Sequence, residues 1–190
     1  MPAEPAPAGS GLLSSLSSKL TLGAGAVLLV ALFVLLLGAR YFSPVTATDG
    51  SFSVKAPAGW TATSDFKFSS GEKPLLALNG PIRDGLQAHF IVSQLPGAYV
   101  PMTEIQAAWP RLVETQGGGQ NGAPGPMSTT TVDGAPAITA DSSIKQARIE
   151  FLVVDHANKT YAVWFTGAAS AFAELRSSGF DRIIASWHWN

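Results

Sequence analysis

The stretch ARIEFLVVDHANKTYAVWFTGA, residues 147–168, decides the fold. Ala147, Ile149, Phe151 and Val153 alternate with Arg148, Glu150, Leu152 and Val154. A period of two sends successive side chains to opposite faces of a strand. Apolar residues occupy both sets, which predicts a long central strand nearly buried on both faces. His156-Ala157-Asn158-Lys159 reads as a turn, and Tyr161, Val163 and Phe165 then alternate with Ala162 and Trp164 in a partner strand. Long strands joined by so short a turn pair antiparallel.

The same pattern extends toward the N-terminus. Thr129-Thr130-Thr131-Val132 runs into Asp133-Gly134, a hairpin turn, and returns through Ile138-Thr139-Ala140. Ala88–Ser93, Leu75–Leu78 and Phe52–Lys55 read as further strands, the last stopped by Pro57 and turned by Ala58-Gly59. Trp60 opens another extended piece. Phe66 and Phe68 alternate with Lys67 as in a half-buried strand. Thr103 with Gln106 forms a capping box for a helix whose apolar stripe is Ile105, Ala108, Trp109, Leu112 and Val113. Pro110 predicts a kink. Gly117-Gly118-Gly119 ends the helix and opens a loop to Pro126. A last helix starts at Ser170, carries Phe172 and Leu175, is interrupted by Gly179, and continues its apolar face through Phe180, Ile183, Ile184 and Trp187. The expected architecture is α+β, an antiparallel sheet sandwiched by helices.

Ahead of this domain lies a different kind of segment. From Leu20 to Ala39 no residue is charged, and Lys19 and Arg40 bracket the run. Twenty helical residues span about 30 Å, the thickness of a bilayer's hydrocarbon core. Every face is apolar, whereas a surface helix keeps a polar side. Tyr41 and Phe42 follow as interfacial aromatics do. The layout read from the chain is a disordered tail over 1–19, a transmembrane helix over 20–39, a linker over 40–50 and a folded domain over 51–190. The alternative is a cleaved signal peptide, cut at Val45-Thr46-Ala47 to release a secreted form. Lys19 on one side and Arg40 with Lys55 on the other leave the positive-inside rule balanced. The short tail favours a cytoplasmic N-terminus and an extracytoplasmic C-terminal domain. Ser17, Thr21 and Gly25 recur at four-residue spacing, which would support weak self-association of the anchor.

Composition excludes several functions. Lys+Arg 12 against Asp+Glu 13 gives a net charge of −1, which argues against nucleic-acid binding. With no cysteine there is no disulfide, no Cys-ligated zinc, no iron–sulfur cluster and no thiol nucleophile. His89, His156 and His188 are not at metal-ligand spacing with one another. Asp155 beside His156 resembles a dyad, yet adjacent strand residues face opposite sides. His188 lies between Trp187 and Trp189. Gly-x-Ser-x-Gly, Walker and calcium-loop patterns are absent, and the sequon Asn158-Lys159-Thr160 is formal only. The expectation is no catalytic residue, no metal and no cofactor.

Phe52-Ser53-Val54, Pro57 and Trp60 resemble the opening of PsbP-like domains. Arg148-Ile149-Glu150-Phe151, Tyr161-Ala162-Val163, Phe180 and Ile183-Ile184-Ala185-Ser186-Trp187 resemble their close, and the likeness covers residues 51–190. The resemblance implies a sheet between helices and a non-catalytic role in binding proteins or aiding assembly. This chain departs from the lipoprotein members, which carry a lipid-modified cysteine where it has the apolar run. The function expected is a membrane-anchored extracytoplasmic module that contacts a protein, with the loop from Gly117 to Pro126 as first candidate for contact. The alternative is an enzyme whose site assembles only in three dimensions. Protease added to spheroplasts should remove residues 51–190 and leave the anchor with the membrane. Survival of the full-length band, while an external control protein is digested, would overturn the orientation.

Overall fold

The computed structural model describes residues 42–68, 71–97, 99–108 and 126–190. Its strands, in chain order, are β1 (Phe42–Thr46), β2 (Phe52–Pro57), β3 (Thr61–Ala62), β4 (Leu76–Arg83) and β5 (Leu86–Gln94). After a helix α1, described over 102–108, come β6 (Ser128–Val132), β7 (Ala135–Ile144), β8 (Ala147–His156) and β9 (Lys159–Ala168). The C-terminal helical segment holds a 3-10 turn (Ala169–Ala171), α2 (Phe172–Leu175), a π turn (Arg176–Phe180) and α3 (Asp181–Ala185), and β10 (His188–Trp189) closes the chain.

β8 and β9 pair antiparallel along their whole length, from His156 opposite Lys159 to Ala147 opposite Ala168. Ala157 and Asn158 turn the chain with φ of 50° and 58°. Positive φ at both central residues is the geometry that matches strand twist in a two-residue hairpin. The remaining strands add on either side in the order β3-β4-β5-β9-β8-β7-β6, all antiparallel. A second sheet, β1-β2-β10, stands apart from these seven strands. Phe52–Lys55, expected as one more strand of a single sheet, instead pairs with β1 and β10 near the two ends of the domain.

The period-two pattern sorts the side chains as expected. On one face Phe90, Leu152, Val154, Tyr161, Val163 and Phe165 join Phe52 and Val54 of the small sheet and Phe172, Leu175, Phe180 and Ile183 of the C-terminal segment in the main core. On the other face Ile138 and Val153 receive Ile105 of α1 in a smaller cluster. The C-terminal segment therefore packs on one face of the large sheet and Ile105 of α1 on the other, and Phe42–Asn190 forms one compact unit.

Trp60 sets the fit between sheet and helix. Its indole is buried, and a Cβ placed on Gly80 of β4 would come within 2.7 Å of it, or on Gly179 within 2.5 Å. No real side chain tolerates such an approach. The π turn carries the consequence. Phe172 and Leu175 face the sheet at helical spacing, but the next buried aromatic is Phe180, five residues after Leu175. One extra residue in the turn brings Phe180 and Ile183 back onto the core while backbone alone passes Trp60. Gly179 does not interrupt the helix, as its residue type suggested; it widens one turn of it.

Several expectations are corrected. Residues 42–46, read as linker, form β1, with Val45 opposite Val54, so the domain begins at Phe42. The cleavage site Val45-Thr46-Ala47 lies inside the fold, and Ala47 is a core residue. Cutting there would remove β1. Phe66 and Phe68 are half-buried but pair with no strand among the described residues; they pack as rings, 5.5 Å apart. α1 begins at Met102, with the Pro101 carbonyl accepting from Glu104 and Ile105, so Thr103 sits inside the first turn rather than at the cap. Ala108 is exposed, which leaves Ile105 as the described residue of the stripe that reaches the core. The tail 1–19, the run Leu20–Ala39 and Trp109, Pro110, Leu112 and Val113 lie outside the described residues. Among the described residues no helix is long and apolar enough to cross a membrane.

Gly179→Ala should destabilise the domain by about 1–3 kcal/mol, the usual cost of overpacking. Trp60→Phe in the same chain should recover part of that loss by freeing space. Denaturant melts of the two single variants and the double variant give the coupling. Additive losses would show that the two residues do not touch.

Candidate interaction surface

Three of the exposed large apolar residues among the described ones lie in the segment between β5 and α1. Leu95 is 37% exposed, Tyr99 43% and Val100 41%. Three apolar side chains left in water within six residues are informative in a way that a lone one is not. The segment is also held. The Leu95 N–H donates to the Thr160 carbonyl at 2.8 Å, extending the β5–β9 pairing by one rung. The Tyr99 hydroxyl donates to Asp155 Oδ2 at 2.8 Å, and the Thr160 hydroxyl donates to Asp155 Oδ1 at 3.2 Å. Asp155 and Thr160 face each other across β8 and β9 and are both buried. A buried carboxylate thus spends both oxygens on hydroxyls, and one of those fixes an exposed tyrosine. The bond to Asp155 raises the Tyr99 phenol above its usual 10.0, because the carboxylate favours the protonated donor. On the far side of the segment, Ile105 of α1 docks on Ile138 and Val153. Leu95 and α1 are thus each tied to the sheet, and Tyr99 is held by its own bond to Asp155.

The other charged groups near the sheet serve the fold. Glu150, buried, accepts from Arg176 Nε at 2.8 Å and from the Thr139 hydroxyl at 3.3 Å. Arg148 pairs with Asp141 and lies 5.1 Å over the Phe172 ring. Arg83 meets Glu174 at 3.1 Å. These bonds tie the C-terminal segment to the sheet.

The structure keeps the three histidines on separate tasks. His89 on β5 has Nδ1 3.0 Å from Asn79 Oδ1, and its ring lies 6.0 Å from Phe66. His156 stacks on Trp189 at 4.0 Å with an interplanar angle of 6°. His188 Nδ1 is 3.5 Å from Asp133 Oδ2, which also accepts the Trp189 N–H. Asp155 points to Tyr99 while His156 points to Trp189, so these neighbours are no dyad. Among the described residues no group of three His, Cys, Asp or Glu could hold a metal ion. Asn158 of the sequon sits in the hairpin turn, and the Thr160 hydroxyl is engaged by Asp155. Residues 117–125 of the loop proposed for contact lie outside the described residues. Pro96-Gly97 reads as a chain break, which hides the surface residues around it. The signal was present: Leu95, Tyr99 and Val100 are apolar inside a segment whose prolines and glycine predict a polar loop.

No family model matches the sequence, and no curated protein matches it. Solved structures do. The solution structure of cyanobacterial PsbP (CyanoP) from Synechocystis sp. PCC 6803 aligns at TM-score 0.53 with 14% identity, covering 80% of this chain and 94% of its own. LpqN, described as involved in cell envelope biogenesis of Mycobacterium tuberculosis, aligns at TM-score 0.50 with 15% identity, covering 77% and 88%. A crystal structure from Bacteroides thetaiotaomicron aligns at TM-score 0.50 with 13% identity over 79% of this chain and 49% of that one. The chain has the PsbP-like fold, an α+β arrangement of antiparallel sheets with few helices.

Burial lowers the His89 pKa below its usual 6.5, since the charged ring is disfavoured in the folded state. The unfolded chain then takes up the proton first as pH falls. The contribution to stability is complete above 6.5 and declines as pH drops from 6.5 toward the lower folded value. Urea melts across that range should show wild type losing more stability than His89→Gln. Parallel pH curves would show that His89 is not the group responsible.

Proposed function

We propose that the chain is a single-pass, membrane-anchored extracytoplasmic module that holds a protein partner through the Leu95–Tyr99–Val100 surface and carries out no chemistry of its own. The observation that carries this reading is Tyr99: an exposed aromatic held by a buried carboxylate that has no other free oxygen. Tyrosine of this kind supplies large contact area at low entropic cost and dominates many protein interfaces. The flanking Leu95 and Val100 supply apolar area around it.

Two further considerations support the reading. Catalysis needs an acid, base or nucleophile with a free reacting atom. Asp155 and Glu150, the buried carboxylates among the described residues, are bonded within the fold, and the histidines do not converge. LpqN, of similar fold, is described as involved in cell envelope biogenesis, which fits an anchored position for this chain. Anchoring itself rests on the uncharged run Leu20–Ala39.

A photo-crosslinking residue in place of Tyr99, in the full chain in native membranes, should capture one protein, and the same residue in place of exposed Ala173 should not. Leu95→Asp with Tyr99→Ala should weaken that association by about tenfold or more, given ~2 kcal/mol or more for a buried aromatic hot spot. Unchanged association of the double variant with the same protein would remove this surface from the interface.

A further inference from the structure

We infer that the outer edge of β6 is a self-association surface, pairing antiparallel with β6 of a second copy of this chain across a two-fold axis at Thr130. Among the described residues the two sheets end in four strand edges, and three are protected. β1 carries Pro44 at its centre, which lacks the N–H a new strand would need. β3 and β10 are two residues long. β6 is different. Ser128-Thr129-Thr130-Thr131-Val132 holds no proline and no charge, its first four side chains are exposed, and among the described residues no strand pairs with its outer side. Edges left in this state invite another strand.

The register of the hairpin says which groups are free. Asp133 and Gly134 form a two-residue turn with φ of 46° and 78°, flanked by Val132 opposite Ala135. The pair flanking such a turn exchanges both backbone hydrogen bonds, and pairs alternate along the ladder from there. Val132, Thr130 and Ser128 therefore bond inward to β7. Thr129 and Thr131 send N–H and C=O outward. Pro136, which has no N–H to give, accordingly sits opposite Thr131.

This edge is complementary to itself. A two-fold axis normal to the sheet must relate a residue to its own mate, and only Thr130 as the centre pairs all five residues. Thr129 then meets Thr131 of the second copy, and Thr131 meets its Thr129. These are the residues whose backbone groups have no partner among the described residues, so about four hydrogen bonds form. Thr130 faces its mate as a closely spaced, non-bonded pair, and every opposed side chain at the three central positions is a threonine, a favourable cross-strand match. No like charges oppose one another. A foreign strand would fill the same edge without this internal match. The inference is independent of the Tyr99 surface, which belongs to the segment between β5 and α1.

The chain has no cysteine, so single cysteines report register without background. The test uses the full chain in mild detergent. Thr130→Cys should oxidise to a disulfide dimer several-fold faster than Ala173→Cys, because opposed non-bonded pairs lie about 4.5 Å apart at Cα, within bridging distance. Thr129→Cys alone is offset from its mate beyond the roughly 7 Å limit. It should cross-link only when mixed with Thr131→Cys. Sedimentation should show a concentration-dependent wild-type dimer that is lost in Thr130→Lys, whose melting curve and circular dichroism match wild type. A Thr130→Cys rate no higher than that of Ala173→Cys overturns the inference. So does dimerisation of Thr130→Lys equal to wild type, which would place any association elsewhere in the chain. Capture of another protein's strand at Thr130→Cys, without homodimer, also overturns it.

Discussion

Trp60 is the constraint on which the assembly of this domain depends. It follows the tight turn after β2 and sends an indole between the large sheet and the C-terminal segment, against Gly80 on one side and Gly179 on the other. Everything packed beyond it must accommodate that ring. The helix does so by widening at Arg176–Phe180, which restores Phe180 and Ile183 to the sheet. Its docked position then delivers Trp187 to stack on Phe52 at 4.1 Å and brings β10 alongside β2. The Ser186 hydroxyl accepts from the Lys55 N–H at 2.8 Å, so helix end and strand register are coupled. The closing strand thus reaches β2 from a helix shaped around one tryptophan and two missing side chains.

What was legible in the sequence is what local periodicity encodes. The alternation over residues 147–168 reports burial on each face directly, and the hairpins around Asp133-Gly134 and Ala157-Asn158 carry turn chemistry. β1 was hidden because Pro44 demotes a strand and because Phe42, beside an apolar run, suits a membrane interface equally well. Phe66 and Phe68 mislead for the opposite reason. Alternation marks a chain lying flat on an apolar surface, whether or not a neighbouring strand bonds to it, and here Phe68 lies on Trp164 by ring contact, 5.5 Å between centroids. The candidate surface was less legible still. Tyr99 and Asp155 are 56 residues apart, and nothing local to either announces the other. Exposure of Leu95 and Val100 is a property of the finished surface, not of a window of sequence.

The electrostatics of the domain divide by location. Interior carboxylates are few and fully committed: Glu150 to Arg176 and Thr139, Asp155 to Tyr99 and Thr160. A buried charge whose oxygens are satisfied specifies position at modest net gain, since desolvation offsets most of the attraction. Glu150 and Arg176 thereby set where the C-terminal segment lies along β8. Arg148, between Asp141 and the Phe172 ring, marks its other end. The remaining surface has low charge and many hydroxyls, as the 13% charged composition requires.

That scarcity of charge bears on how the domain meets other molecules. Long-range steering needs a field, and a chain with net charge −1 and charges largely paired in sign offers little of one. Recognition must then come from contact: shape, apolar area and backbone hydrogen bonds. The structure presents these separately. Leu95, Tyr99 and Val100 offer apolar area, with Leu95 bonded to Thr160 and Tyr99 to Asp155. The β6 edge offers backbone donors and acceptors beside threonines, with no large apolar side chain among its four exposed residues. The first suits a pocketed partner surface and the second an extended strand. Mutations at one should leave the other's occupancy intact, because β9, β8 and β7 stand between β5 and β6 and form the rigid centre of the sheet.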